Sequence, residues 1–151
     1  MAKPRWLTEH EEAAWVGYRR MRVLLDLRIN RDLVSQSGLS EQDYDVLSNL
    51  SEAVGQRMRL GDLAAHMCWS KSRLSHHITR MQDRGLVQRE ECADDGRGSM
   101  LTLTRKGHDA IIAAAPGHVA SVRQHLIDVL TPEEIDTLAA LTHRVVARLQ
   151  D

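Results

Sequence analysis

The chain has 151 residues, with 20 Lys and Arg against 21 Asp and Glu and a formal net charge of -1. That length holds one core and excludes two independent domains, and the neutral balance excludes a polycation, so any affinity for phosphate must be local. Locally, Lys71, Arg73, Arg80, Arg84 and Arg89 crowd the middle of the chain, opposed there by Asp83 and Glu90, while Glu9, Glu11, Glu12, Glu133 and Glu134 lie near the ends. No run approaches the roughly 18 apolar residues of a membrane span and no signal peptide opens the chain, which predicts a cytoplasmic protein. Cys68 and Cys92 are then expected as free thiols in a reducing compartment. Phe is absent and aromatics are 3% of the chain, so aliphatic side chains must build the core.

Taken in order, Thr8 with Glu11 forms a capping box that starts a helix reaching about Val34, and Ser37-Gly38 ends it. Ala14, Tyr18, Met21 and Leu25 share one face of this helix, and Val16, Val23, Leu27 and Val34 lie on another. A helix apolar on more than one face wants partners on both sides, which in so small a chain points to a second subunit. Ser40 with Asp43 caps a second helix carrying Tyr44, Val46, Leu47 and Leu50, with Gly55 beyond its end. Arg57 to Leu60 is long enough only for a strand stub. Asp62 to Met67 makes a short helix with Leu63 and Ala64 inward, Cys68-Trp69 turns the chain, and Ser70 caps a helix over Lys71 to Arg84 that stops at Gly85.

Leu86 to Glu91 and Ser99 to Thr104 alternate apolar and polar residues around the turn Asp94-Asp95-Gly96-Arg97-Gly98, which predicts a hairpin. Thr104 caps a long helix to about Leu130, which Pro116-Gly117 is expected to kink or divide. Thr131-Pro132-Glu133-Glu134 starts the last helix, along which Ile135, Leu138, Val145 and Leu149 face one way. Helix, turn, helix and hairpin together are a winged helix-turn-helix. The predicted fold class is mainly α with a small β wing, a DNA-binding lobe over residues 37–104 and a helical dimerisation lobe from residues 1–36 and 105–151.

On the helix after Ser70, Leu74, Ile78 and Met81 fall in one narrow sector, and Ser72, Arg73, His76, Thr79 and Arg80 point away. An exposed face of hydroxyl, imidazole and guanidinium groups suits the major groove, where Arg binds guanine bidentately and His and Ser bond base edges. Arg73 and His76 are the expected base contacts. Lys71, Ser72, Ser75 and Thr79 are expected at phosphates, Arg80 suits either role, and Ser70 is also expected among the DNA-binding residues. His77, at the edge of the buried sector, reads as a packed or backbone-bonded histidine and not as a DNA contact. Arg97 at the hairpin tip suits a narrow A·T-rich minor groove, held extended by Asp95; the plainer reading of this pair is an exposed ion pair in a polar turn.

The segments SKSRLSHHITRMQDRGLV at Ser70 to Val87, DGR at Asp95 to Arg97 and LTRKG at Leu103 to Gly107 resemble those of the MarR family of transcriptional regulators, and the likeness runs from Thr8 to Leu149. The resemblance implies a homodimer with interlocking terminal helices, a recognition helix in the major groove of a pseudo-palindromic operator, and a wing pair at Asp95 and Arg97. It also implies repression, usually relieved by a small phenolic or lipophilic anion and sometimes by an oxidant or metal. A pocket of that kind suggests Trp15, Tyr18, Arg19, Tyr44 and His66 as lining, with Arg19 pairing the anion; core packing is the plainer role for each ring. Cys68 is either an inert packed thiol or a redox switch. His66, Cys68, His76 and His77 are close in sequence but diverge in direction, so no metal site is expected, and no cofactor. No phosphate loop or nucleophile motif argues for an enzyme, and a winged helix that binds only protein is the remaining alternative.

Overall fold

The computed structural model describes residues 3–92 and 98–150. These form six α-helices, two short 3-10 turns and one three-stranded antiparallel sheet: α1 (Glu9–Ser37), α2 (Glu41–Glu52), β1 (Arg57–Arg59), α3 (Leu60–His66), α4 (Lys71–Asp83), β2 (Val87–Glu91), β3 (Ser99–Leu103), α5 (Arg105–His125) and α6 (Pro132–Gln150). The fold is the mainly helical winged-helix class expected from the sequence. Among the described residues no helix is long and apolar enough to cross a membrane. The chain divides into two compact units, Asp32–His118 and Met1–Arg31 with Val119–Asp151.

The Asp32–His118 unit is built around one aliphatic core. Val46, Leu47 and Leu50 of α2, Leu63 of α3, Leu74, Ile78 and Met81 of α4 and Leu101 of β3 have no exposed surface. The three residues from α4 are those the helical spacing predicted. β3 is the central strand, with β1 on one side and β2 on the other, and pairs Met58 with Leu101 and Val87 with Leu103.

Helix ends are fixed locally. Gly38 at φ +71° ends α1, its N–H donating to Val34 O at 2.9 Å. The Ser40–Asp43 box starts α2, and the Ser70 hydroxyl oxygen accepts the Arg73 N–H at 3.1 Å at the start of α4. After α4, Gly85 takes φ +76°, where a side chain would be strained. The Thr104 hydroxyl lies 2.7 and 2.9 Å from the Gly85 and Leu86 carbonyl oxygens and accepts the Gly107 N–H at 2.9 Å. A Cβ on Gly107 would overlap the Leu86 carbonyl, so the Leu-Thr-Arg-Lys-Gly segment is the seam where α5 meets the exit of α4.

Pro116 does not divide α5, which runs unbroken from Arg105 to His125 before a 3-10 turn at Ile127–Val129. Of the two expected outcomes division does not occur: a proline's fixed φ is itself helical, so it costs one hydrogen bond and local crowding without ending the helix. Gly117 serves a close approach instead, since a Cβ there would meet the Gln36 side chain.

The second unit contains the first part of α1, the end of α5 and α6. The Thr8–Glu11 and Thr131–Glu134 boxes cap α1 and α6 as expected, with Thr8 N to Glu11 Oε2 and Thr131 N to Glu134 Oε2 both 2.8 Å. Its apolar side chains are poorly covered: Trp15, Val16, Tyr18, Val23 and Leu27 on α1 and Leu141, Val145, Val146 and Leu149 on α6 are all exposed.

Candidate nucleic-acid interface

α4 turns its apolar sector into the core and leaves Lys71, Ser72, Arg73, His76, Thr79 and Arg80 exposed, with Ser75 half-buried. Grooves lie on both flanks of this ridge. One, of about 490 Å³, is lined by Arg73, His77, Arg80 and Arg84 of α4 and its cap, by Trp69, and by Ser40, Gln42 and Asp43 at the start of α2. The other, of about 530 Å³, is lined by Lys71, Ser72 and Ser75, by Arg59, Leu60, Gly61 and Asp62, and by Gly98 and Ser99 at the foot of the hairpin. A ridge of donors between two grooves is the shape that places a helix against base edges while its flanks meet the sugar-phosphate strands.

The individual side chains are partly committed. The Arg73 guanidinium stacks on the Trp69 ring, 3.7 Å from its centroid, in cation–π geometry. Ser70 accepts a backbone N–H and keeps its hydroxyl hydrogen for an outside acceptor. Thr79 directs its one hydroxyl hydrogen at the Ser75 carbonyl, 3.0 Å away, so in this rotamer it offers a phosphate no donor. The wing pair Asp95 and Arg97 lies outside the described residues; the hairpin base below it is closed by Cys92 N–H donating to Gly98 O at 3.2 Å.

Several cations in the middle of the chain are tied to acceptors of their own lobe. Arg89 donates to Ser75 O at 2.9 Å and Lys106 Nζ to Arg84 O at 2.8 Å. Arg84 spans Asp43 Oδ2 at 2.7 Å and Gly38 O at 3.0 Å. The Asp43 carboxylate, almost fully buried, also accepts the Ser40 N–H at 2.9 Å and lies 3.0 Å from His77 Nε2. Burial alone would raise this carboxyl, but the hydrogen bonds from His77, Arg84 and Ser40 and the Arg84 charge outweigh it and hold the group well below the usual carboxylate range. Sequence reasoning found Asp43 only as a capping residue, because its partners His77 and Arg84 are remote in the chain.

The suggested effector residues fall into two places. On α1, Trp15 and Tyr18 stack with centroids 6.0 Å apart and the Arg19 guanidinium lies 5.9 Å from the Trp15 centroid. In the Asp32–His118 unit, Tyr44 packs on His118 at 4.2 Å between centroids, and His66 is exposed. Burial first, and then the charges of Asp45 and Glu52, push the Tyr44 phenol up. His118 carried no sequence signal beyond lying next to Gly117.

Cys68 is not the packed thiol of the plainer expectation. Met67 and Trp69 on either side pack against the core, and φ +55° at Cys68 turns its side chain out to solvent. Among the described residues no three His, Cys, Asp or Glu side chains gather as metal ligands would.

Comparison with known proteins gives a consistent picture. The MarR family model matches residues 37–98. The chain is 44% identical to AbsC, a MarR family transcriptional regulator from Streptomyces coelicolor, over 97% of this chain and 99% of that one, with a TM-score of 0.90. It is 37% identical to Sco3205, a MarR family regulator from the same organism solved in complex with DNA, over 99% and 93% of the two chains, with a TM-score of 0.93. Among curated proteins it is 27% identical over 117 residues to the homoprotocatechuate degradative operon repressor of Escherichia coli, covering 78% of this chain and 77% of that protein.

Proposed function

Because the chain belongs to the MarR family of transcriptional regulators, we propose that it acts in the cytoplasm as a homodimeric, sequence-specific repressor that reads a pseudo-palindromic operator with α4. The observation that carries this is the exposed α4 ridge of Arg73, His76 and Arg80 with a groove on each flank. Arg73 and His76 meet bases; Ser70, Lys71, Ser72 and Ser75 meet phosphates, Thr79 does so only after its hydroxyl leaves Ser75, and Arg80 adds a base or phosphate contact. Asp95 and Arg97 form the wing contact. Residues 37–104 serve as the DNA-binding lobe and residues 1–36 with 105–151 as the dimerisation lobe, a division supported by the uncovered apolar faces of α1 and α6.

Selection of bound sequences from random DNA tests the reading. Two recognition helices on a two-fold axis should recover half-sites about 10 base pairs apart, roughly 34 Å. Tight binding of a monomer to an isolated half-site would sink it.

A phenolic or lipophilic anion is the proposed releasing ligand, with Arg19 and the stacked Trp15 and Tyr18 as one contact group and Tyr44 and His66 as contacts in their own unit. The chemical class fits the similarity to a repressor whose name ties it to homoprotocatechuate degradation. If salicylate-like acids leave both the melting temperature and the operator affinity of the protein unchanged, that class is excluded.

A further inference from the structure

His77 sits on α4 among the core residues Leu74, Ile78 and Met81, with 8% of its surface exposed. A buried imidazole needs partners for both ring nitrogens. Nδ1 lies 3.1 Å from an Arg80 guanidinium nitrogen, and Nε2 lies 3.0 Å from Asp43 Oδ1. Arginine only donates, so Nδ1 must be the accepting nitrogen and the ring proton belongs on Nε2, facing a carboxylate that only accepts. With the proton on Nε2, Nδ1 accepts from Arg80, while Nε2 faces the Asp43 carboxylate at ion-pair distance without an aligned hydrogen bond. Asp43 is itself held by Ser40 and Arg84 and keeps a negative charge beside the ring. The same ring meets Trp69 edge-on, with centroids 5.6 Å apart and planes at 88°, and Trp69 carries the Arg73 guanidinium on its face.

We propose that His77 is a positioning residue for DNA recognition: anchored on Asp43, its Nδ1 holds the exposed Arg80 side chain in its DNA-contacting direction before DNA arrives. A long side chain ordered in advance loses less freedom on binding, so the contact gives more net affinity. The inference rests on the reading that Arg80 touches DNA.

Two amide replacements separate holding Arg80 from holding the fold. In His77→Gln the amide nitrogen takes the place of Nε2 beside the Asp43 carboxylate, but nothing accepts Arg80. In His77→Asn the carbonyl oxygen takes the place of Nδ1 and accepts Arg80, but the side chain no longer reaches Asp43. Operator affinity and melting temperature are measured for both, for Arg80→Gln, and for His77→Gln in the Arg80→Gln background. H77Q is expected to melt near the native protein yet bind operator about tenfold more weakly, the scale of one hydrogen bond to a charged group. That loss should vanish in the R80Q background, while H77N should melt lower and, where folded, bind as the native protein does. Native affinity in H77Q, or an equal loss in both backgrounds, overturns the proposal. If H77Q melts well below the native protein, the comparison is made where both variants are folded, and Asn binding as weakly as Gln overturns it there. Native affinity in R80Q alone defeats the underlying reading of Arg80 instead.

Discussion

Leu47 and Leu149 carry the same side chain in opposite surroundings. Leu47, in the Asp32–His118 unit, has no exposed surface, and Leu149 on α6 is 79% exposed. The contrast holds for most of each unit: the first buries an aliphatic cluster around α2, α4 and β3 and leaves only Val34, Val54 and Ile112 as large exposed aliphatics among its described residues, whereas the second presents Trp15, Val23 and Leu27 on α1 and Val145 and Val146 on α6 to solvent. An exposed apolar stripe of that length marks a surface made for another surface. One unit is complete as a folded object, and the other becomes so in the proposed dimer.

Substitutions should therefore act differently in the two units. Leu47→Ala empties a sealed core position and should cost about 2–5 kcal/mol of stability, lowering the melting temperature alike in dilute and concentrated protein. Val145→Asp should leave the secondary structure intact but place an unpaired charge in the subunit contact. Light scattering should then report monomers, and operator affinity should fall about a hundredfold; an undiminished dimer would show that this stripe is not the subunit contact. Asp43→Asn belongs to the closed unit and should cost about 1–3 kcal/mol at neutral pH, kept moderate because Arg84 is half exposed and can rehydrate.

The pH dependence of that last variant has a definite sign. A carboxyl depressed in the fold contributes stability in full above its unfolded value of about 3.9 and loses it as pH falls toward the lower folded value. The native protein should lose this contribution on acidification below about pH 5, and Asp43→Asn should lack that part of the acid limb in melts recorded from neutral to acid pH. The smallest effect is expected at the wing, where Arg97→Gln should weaken operator binding about fivefold, the low end for a single DNA contact, and most when the flanks are A·T-rich. Equal affinity on all flanks would remove the wing from the interface.

What could be read from the sequence was what depends on neighbours in the chain. The capping boxes at Thr8, Ser40 and Thr131, the N-cap at Ser70 and the Leu74–Ile78–Met81 stripe all follow from spacings of three or four residues, and all are present. The exposed face of α4 was legible for the same reason. The failures involve distant partners or competing local preferences: Pro116 stayed helical, Cys68 turned outward in a left-handed turn, and His77 and Arg84 found Asp43 from more than 30 residues away. Nor does any short-range pattern show that Trp69 would carry Arg73, since that depends on how the turn after α3 is pinned to the core.

The inward commitment of Arg84, Arg89 and Lys106 bears on how such a regulator finds its target. Side chains tied to acceptors of their own lobe have fewer free donors to offer a duplex, and a body with net charge -1 adds no general attraction of its own. For the proposed repressor the consequence is weak holding by the irrelevant sequence of a chromosome, which leaves more of the population for the operator.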